Sequence, residues 1–353
     1  MRQNLGSEFV LTANLDETTA GYDDVANATA NGGKGFLPLG NSSTPFTGTF
    51  EGSNQSIEEL YINRSTDETV GLFGVVDGAV KNITLENVDV YGKGSDRLAP
   101  TTGGTGSLVG IVQSSGVVAN VDTDGQVGGE FAIGGLVGLS DGDVRASTAS
   151  VTVDGDREVG GLIGHNDGTL RNASASGAVT GNGETGGLVG HVPVGTVENS
   201  YATGEVNGGF YAGGLVGWIN NGGEVTRSYA TGNVSGDSSG VGGVGGLVGK
   251  NIGVVNESYA VGNVSGESDV GGLVGDNTDT VTDSYWDINT TGQSISDGGI
   301  GLTTDQLKAN TSLAGFDFTN TWDVLESGPD GAVSYPFLRN TTQVPAPGRE
   351  TTP

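Results

Sequence analysis

Short apolar bursts separated by Gly, Asn, Asp and Ser run along the chain, and one burst keeps returning. It reads VGLFG at 70–74, GSLVG at 106–110, GGLVG at 134–138 and GGLIG at 160–164, then GGLVG at 186–190, 213–217, 245–249 and 271–275. Its central residues are Leu72, Leu108, Leu136, Leu162, Leu188, Leu215, Leu247 and Leu273, at intervals of 36, 28, 26, 26, 27, 32 and 26. A unit of about 26 residues that recurs with insertions marks a solenoid or array rather than an ordinary globule.

A second phrase follows the first. It is clearest as VENSYATGEV at 197–206, VTRSYATGNV at 225–234 and VNESYAVGNV at 255–264. Ser200, Ala202, Gly204 and Val206 fall on one face with period two, the period of a strand. Val197 is out of phase with them, so a bend or bulge is expected between it and Ser200. Each unit then holds about three short strands: one on GGLVG, one on the leading Val and one on the YATGEV-like tail. Helical spacing is missing, and a lone turn could not offset the entropy of ordering itself. The expected fold is all-β: a parallel β-helix with one unit per turn and like strands about 4.8 Å apart.

The flanks differ. Residues 1–60 read as N-terminal cap strands and first coils, with a strand at 9–15, a loop over 16–34 and two bursts around a turn at 52–54. Residues 61–285 are the repeats. Residues 286–340 concentrate aromatics and read as a C-terminal cap over the last turn, with one short helix that Thr304 caps and Leu307 anchors. Residues 341–353 are a Thr/Pro-rich linker or tail.

Composition narrows the partners. Net charge is −28, from 42 acidic and 14 basic residues. That excludes a basic nucleic-acid footprint and disfavours anionic membranes. Such self-repulsion is relieved by counterions, which fits adaptation to high salt. Without Cys there are no disulfides or thiolate metal sites. Without a long apolar run no direct membrane insertion is expected. The N-terminus lacks a signal peptide's apolar stretch, so either the chain is cytoplasmic or, as the extracellular reading expects, a leader and an anchor lie outside this stretch. Twelve Asn-X-Ser/Thr sequons suit an exported chain, and Asn63, Asn82, Asn172, Asn233, Asn256 and Asn263 are candidate N-glycosylation sites within the repeats.

The two phrases together resemble the GLUG-motif repeats of secreted prokaryotic surface proteins. LTANLD at 11–16 and FTGTFEGSNQSIEELYI at 46–62 are similar to the opening block of such proteins, although Glu51 and Gln55 stand where Asp and His are frequent. SYWD, GGIGLTTDQLK, FDFTNTWDV and YPFLR are similar to their closing block. The resemblance implies an extracellular or cell-surface protein with adhesive, matrix or filament roles. Some relatives carry a zinc peptidase domain, but no H-E-x-x-H occurs here and the only histidines are His165 and His191.

No catalytic residues are expected, and the chain reads as a non-enzymatic structural or adhesive rod. Its partners would be surface or matrix polysaccharide or protein, or further copies in a filament. The alternative is a carbohydrate-binding or carbohydrate-active β-helix using one flank, separable by a polysaccharide array with a depolymerisation assay. Tyr201, Tyr229, Tyr259 and Tyr285 should stack outward, either as a stabilising ladder or as a glycan-binding strip. The histidines, in register one turn apart, read as surface residues, with a metal or pH-sensing pair as the sharper reading. No cofactor and no metal site are expected, except that Asp122 with Asp124, Asp141 with Asp143 and Asp154 with Asp156 offer oxygens to Ca²⁺. Gly242 to Gly246 mimic a phosphate loop but lack its lysine and helix.

Overall fold

A computed structural model describes residues 1–94, 102–236, 242–325 and 334–339. The tail at 341–353 and the sequon at Asn340 lie outside the described residues. Apart from the first and last segments, the chain winds as a parallel β-solenoid.

Two eight-stranded sheets each take one strand from every turn. One runs from Thr69–Val70 to Val270–Gly271, the other from Phe73–Val76 to Val274–Asn277. A 22-stranded sheet carries the rest of each turn. In the early turns it has long strands such as Ala79–Gly92, which later give way to trios such as Thr169–Arg171, Ser174–Ala175 and Val179–Thr180. The central leucines stack as expected: Leu162 N–H donates to the Leu188 carbonyl, Leu188 to Leu215, Leu215 to Leu247 and Leu247 to Leu273, over 2.8–2.9 Å. Their side chains are buried in one apolar core that runs from Tyr22 to Trp286.

GGLVG is not one strand, however. Strands end at Gly160 and resume at Ile163, so the phrase is a tight corner with its Leu turned inward. The last glycine explains the motif. A Cβ on Gly190 would lie 2.4 Å from the Glu158 carbonyl carbon, and one on Gly217 would lie 2.5 Å from the Thr185 nitrogen. Only glycine lets the strand after the corner close onto the strand before it.

The expected bulge sits between the leading Val and the Ser. Asn120, Ala146, Asn172, Asn199, Arg227, Glu257 and Asp283 all adopt positive φ there. The next residue turns inward, and where it is Ser its hydroxyl repairs the ladder. Ser228 donates to the Thr226 carbonyl at 2.8 Å and accepts from the Ser200 N–H at 3.2 Å. Ser258 repeats this with Asn256 and Ser228, and Ser284 with Thr282 and Ser258. A column of buried serines thus satisfies the backbone groups that the bulge frees.

The ends depart from expectation in detail. A single helical turn, Asp23–Ala26, interrupts the 16–34 loop, and Asn31 and Gly32 follow in the left-handed region. Glu8–Val10 pairs in parallel with Thr49–Glu51 and extends the ladder by one step. At the other end Trp286 pairs with Ala260, the last of a column of alanines from Ala149 through Ala175, Ala202 and Ala230. Its indole lies over Gly272 and donates to the Gln293 carbonyl at 3.1 Å, plugging the core. The helix Thr304–Lys308 is capped by Thr303 rather than Thr304, in a capping box with Gln306, and Leu307 is buried as expected. Phe316, Trp322, Tyr335 and Leu338 pack along the flank of the solenoid, against the tyrosines from Tyr285 back to Tyr201.

Candidate functional site

The residue after each last glycine points away from the core and stacks in register along one flank: Val75, Ile111, Leu139, His165, His191, Trp218, Lys250 and Asp276. The close approach that the glycines permit sets this column against the preceding strands. Val75, Ile111 and Leu139 use the contact as a small apolar cluster. One turn further the chemistry changes, because Glu158 stands one turn on from Ala132 and faces both histidines.

Contrary to the surface reading, His165 is 3% exposed, His191 7% and Glu158 8%. The Nδ1 of His165 lies 3.1 Å from Glu158 Oε2, and the Nδ1 of His191 lies 3.1 Å from Oε1. The far nitrogens are held too. His165 Nε2 is 3.2 Å from Asp167 Oδ2, and His191 Nε2 is 3.2 Å from the Asn220 side-chain amide. Trp218 stacks on His191 at 4.7 Å and 12°. Burial disfavours charge on both partners, but their hydrogen bonds win. Those from His165 and His191 lower the Glu158 pKa to about 2, and those to Asp167 and Glu158 raise His165 to about 9. The cluster therefore holds an ionised carboxylate against an imidazolium inside the protein. Its ligand atoms lie within 4.8 Å of one another, and it is the one group among the described residues with three such metal-capable side chains.

The tyrosines do stack, at 5.0 Å between ring centroids and tilts of 4° and 7° for Tyr201 on Tyr229 and Tyr229 on Tyr259. They are not an open glycan strip. Tyr229 and Tyr259 are fully buried and Tyr201 and Tyr285 nearly so, under Leu313, Phe316, Trp322, Tyr335 and Leu338. Tyr259 donates its hydroxyl hydrogen bond to the Pro336 carbonyl, and Tyr285 donates to Ala314 at 3.0 Å. The column is a second core, closed by a segment far away in sequence.

The acidic pairs have protein partners. Asp143 takes Arg145 and Arg171, Asp122 accepts from Thr148, Asp124 from the Asn87 N–H and Asp156 from Asn182. Among the sequons, Asn63, Asn233 and Asn263 are exposed, whereas Asn82, Asn172 and Asn256 are half-buried. Asn82 bonds Glu51 and Asn120, and Asn256 accepts from Thr282. Sequence reasoning missed Glu158, Asp167, Trp218 and Asn220. The available signal was a phrase that occurs twice, EVGGLIGH at 158–165 and ETGGLVGH at 184–191, which sets a Glu seven residues before each histidine and Glu158 in register with Glu184.

Residues 155–180 and 208–235 match the GLUG motif family. Halomucin of Haloquadratum walsbyi is 37% identical over 155 residues, 42% of this chain and 2% of that protein. A protein of Evansella cellulosilytica, provisionally described as a Gly-rich membrane protein, is 34% identical over 121 residues, 34% of this chain and 12% of its own. The chain thus spans a small part of both relatives. A crystal structure from Bacteroides ovatus, of a protein provisionally described as an immunoglobulin A1 protease, aligns over 95% of this chain and 86% of its own with a TM-score of 0.46 and 22% identity. No helix among the described residues is long and apolar enough to cross a membrane. The chain is an all-β parallel solenoid, and two of its repeats match the GLUG motif.

Proposed function

We propose that this chain is the repeat rod of an extracellular, cell-surface protein, and that it serves attachment or matrix formation rather than catalysis. The observation that carries this reading is the unbroken ladder: every turn bonds to the next in register, from Thr69–Val70 to Val270–Gly271. Each turn bonds mainly to its neighbours, so length and stiffness are the properties that repetition adds. A net charge of −28 keeps such a rod hydrated and separate from other anionic surfaces. The names of the two relatives, a mucin and a membrane protein, lie on the same side. A carbohydrate-active flank has less support, because the aromatic strip that would seat a glycan is covered.

Antibodies raised against the folded solenoid test the location: they should label intact cells, and labelling only after lysis would contradict a surface rod. A deletion strain compared in surface-attachment and matrix assays tests the role. Incubation with candidate polysaccharides should leave them uncleaved, and release of reducing ends by the purified chain would overturn the non-enzymatic reading.

A further inference from the structure

We propose that Glu158, His165 and His191 form a binding site for a single divalent transition-metal ion such as Zn²⁺. The three side chains come from three separate strands, Arg157–Gly160, Ile163–Asn166 and Val189–Val192, all fixed in the ladder. Both histidines present Nδ1 to one carboxylate, at 3.1 Å each. Neighbouring ligand atoms around a tetrahedral ion with bonds of about 2.0–2.1 Å lie roughly 3.3 Å apart, close to each nitrogen–oxygen contact, although the two contacts fall on different oxygens of the carboxylate. Binding one ion requires the rings to turn towards each other, from ligand atoms that now lie within 4.8 Å of one another.

The surroundings are those of a ligand set. A metal-binding histidine characteristically has its other ring nitrogen held by a carboxylate or carbonyl, which fixes the ring. Asp167 stands at that position for His165, whereas Asn220 presents its amide N–H to His191 Nε2 and would have to turn its carbonyl there once Nδ1 binds the ion. Asp167 is oriented by its contact with His165 and by the backbone of Val194. Leu139 continues the column on one side of the histidines and Trp218 on the other, which limits water around the ion. Two imidazoles with one carboxylate select first-row transition ions, whereas Ca²⁺ and Mg²⁺ prefer all-oxygen shells. One coordination position would be left for water.

Packing alone does not require these residues. In the preceding turn Ala132 and Leu139 occupy the same register and close the same corner with apolar contacts. Replacing a buried ion pair by such a contact is often neutral or stabilising, so packing does not account for the cluster that His165 and His191 form across two adjacent turns. Without metal, the Nδ1 protons bond the carboxylate and hold the three groups in place. Metal binding replaces those protons.

The test uses the full chain, stripped with a chelator and then titrated with Zn²⁺ against a chromophoric competitor. Excess Mg²⁺ occupies the acidic surface. One Zn²⁺ per chain is expected, with a rise in melting temperature. His191→Gln and Glu158→Gln should abolish that stoichiometric binding, and Asp167→Asn should weaken it by about 10–100-fold. Nitrogen NMR of the unaltered protein gives a reading that does not depend on a variant's folding, since His165 and His191 supply all the imidazole signals. Zn²⁺ should shift both Nδ1 resonances, leave His165 Nε2 protonated towards Asp167 and place the remaining proton of His191 on Nε2. Zn²⁺ uptake that Mg²⁺ suppresses, or imidazole signals unmoved by Zn²⁺, would overturn the proposal and leave a buried ion pair only.

Discussion

Two columns run along the outside of the same solenoid, and they are built on opposite rules. The tyrosine column repeats one residue at Tyr201, Tyr229, Tyr259 and Tyr285, and the chain's own C-terminal segment closes it. The column from Val75 to Asp276 changes almost every turn, passing from aliphatic through histidine and tryptophan to an ion pair between Lys250 and Asp276 at 2.6 Å. Equivalent backbone positions therefore say little about chemistry by themselves. Where the residue is constant, stacking of like on like gives a uniform surface that one cover can fit. Where it varies, each turn makes a local environment, and a polar cluster can arise in one turn while its neighbours stay apolar.

The contrast can be broken first at the tyrosines. Tyr259→Ala removes a fully buried ring and should cost about 3–5 kcal/mol. It should also free the segment around Trp322 and Tyr335 to proteolysis, since both rings pack on Tyr259. Unchanged protection would mean that the cover does not depend on the stack. On the other flank, Glu158→Ala removes the partner of two buried histidines, for which about 3–5 kcal/mol is expected by chemical denaturation of chelator-treated protein. Converting the turn to its neighbour's pattern, Glu158→Ala with His165→Leu, should regain most of that loss. If the double variant is no better than the single one, the histidine is held by more than its ion pair. Smaller effects sharpen the comparison. Tyr259→Phe deletes only the hydrogen bond to Pro336 and should cost about 1 kcal/mol, with the cover still protected. Asp276→Asn breaks a partly exposed pair and should change stability by less than about 1 kcal/mol.

The parts of this architecture that repeat are the parts that could be read from the chain. Leu188, Leu215 and Leu247 lie over one another because each occupies the same inward position of the same corner. The bulge before Ser200 was visible as a phase slip between Val197 and Ser200, and it is found with Asn199 at positive φ. GGLVG resembled a strand because two small residues beside Leu and Val alternate well enough, and only the tight contact of Gly190 against the Glu158 backbone shows why it is a corner. The tyrosine stack was legible, but its cover was not. Pro336 is 77 residues from Tyr259, and nothing periodic connects them. The histidine cluster was half legible: the 26-residue interval placed His165 over His191, while their burial depends on glycines that draw Glu158 towards them.

All of this rests on parallel, in-register turns, and the absence of native cysteine allows that to be measured directly. Tyr91, Gly128, Asp154, Thr180, Asn207, Ser235 and Ser265 follow one another across adjacent turns. Spin labels at exposed Asp154 and Ser265 should then lie about 19 Å apart, and labels at Tyr91 and Ser265 about 29 Å apart, at roughly 4.8 Å per turn. Distances that grow in this proportion support the stack. Two equal distances, or a longer separation for the Asp154 pair than for the Tyr91 pair, would contradict it.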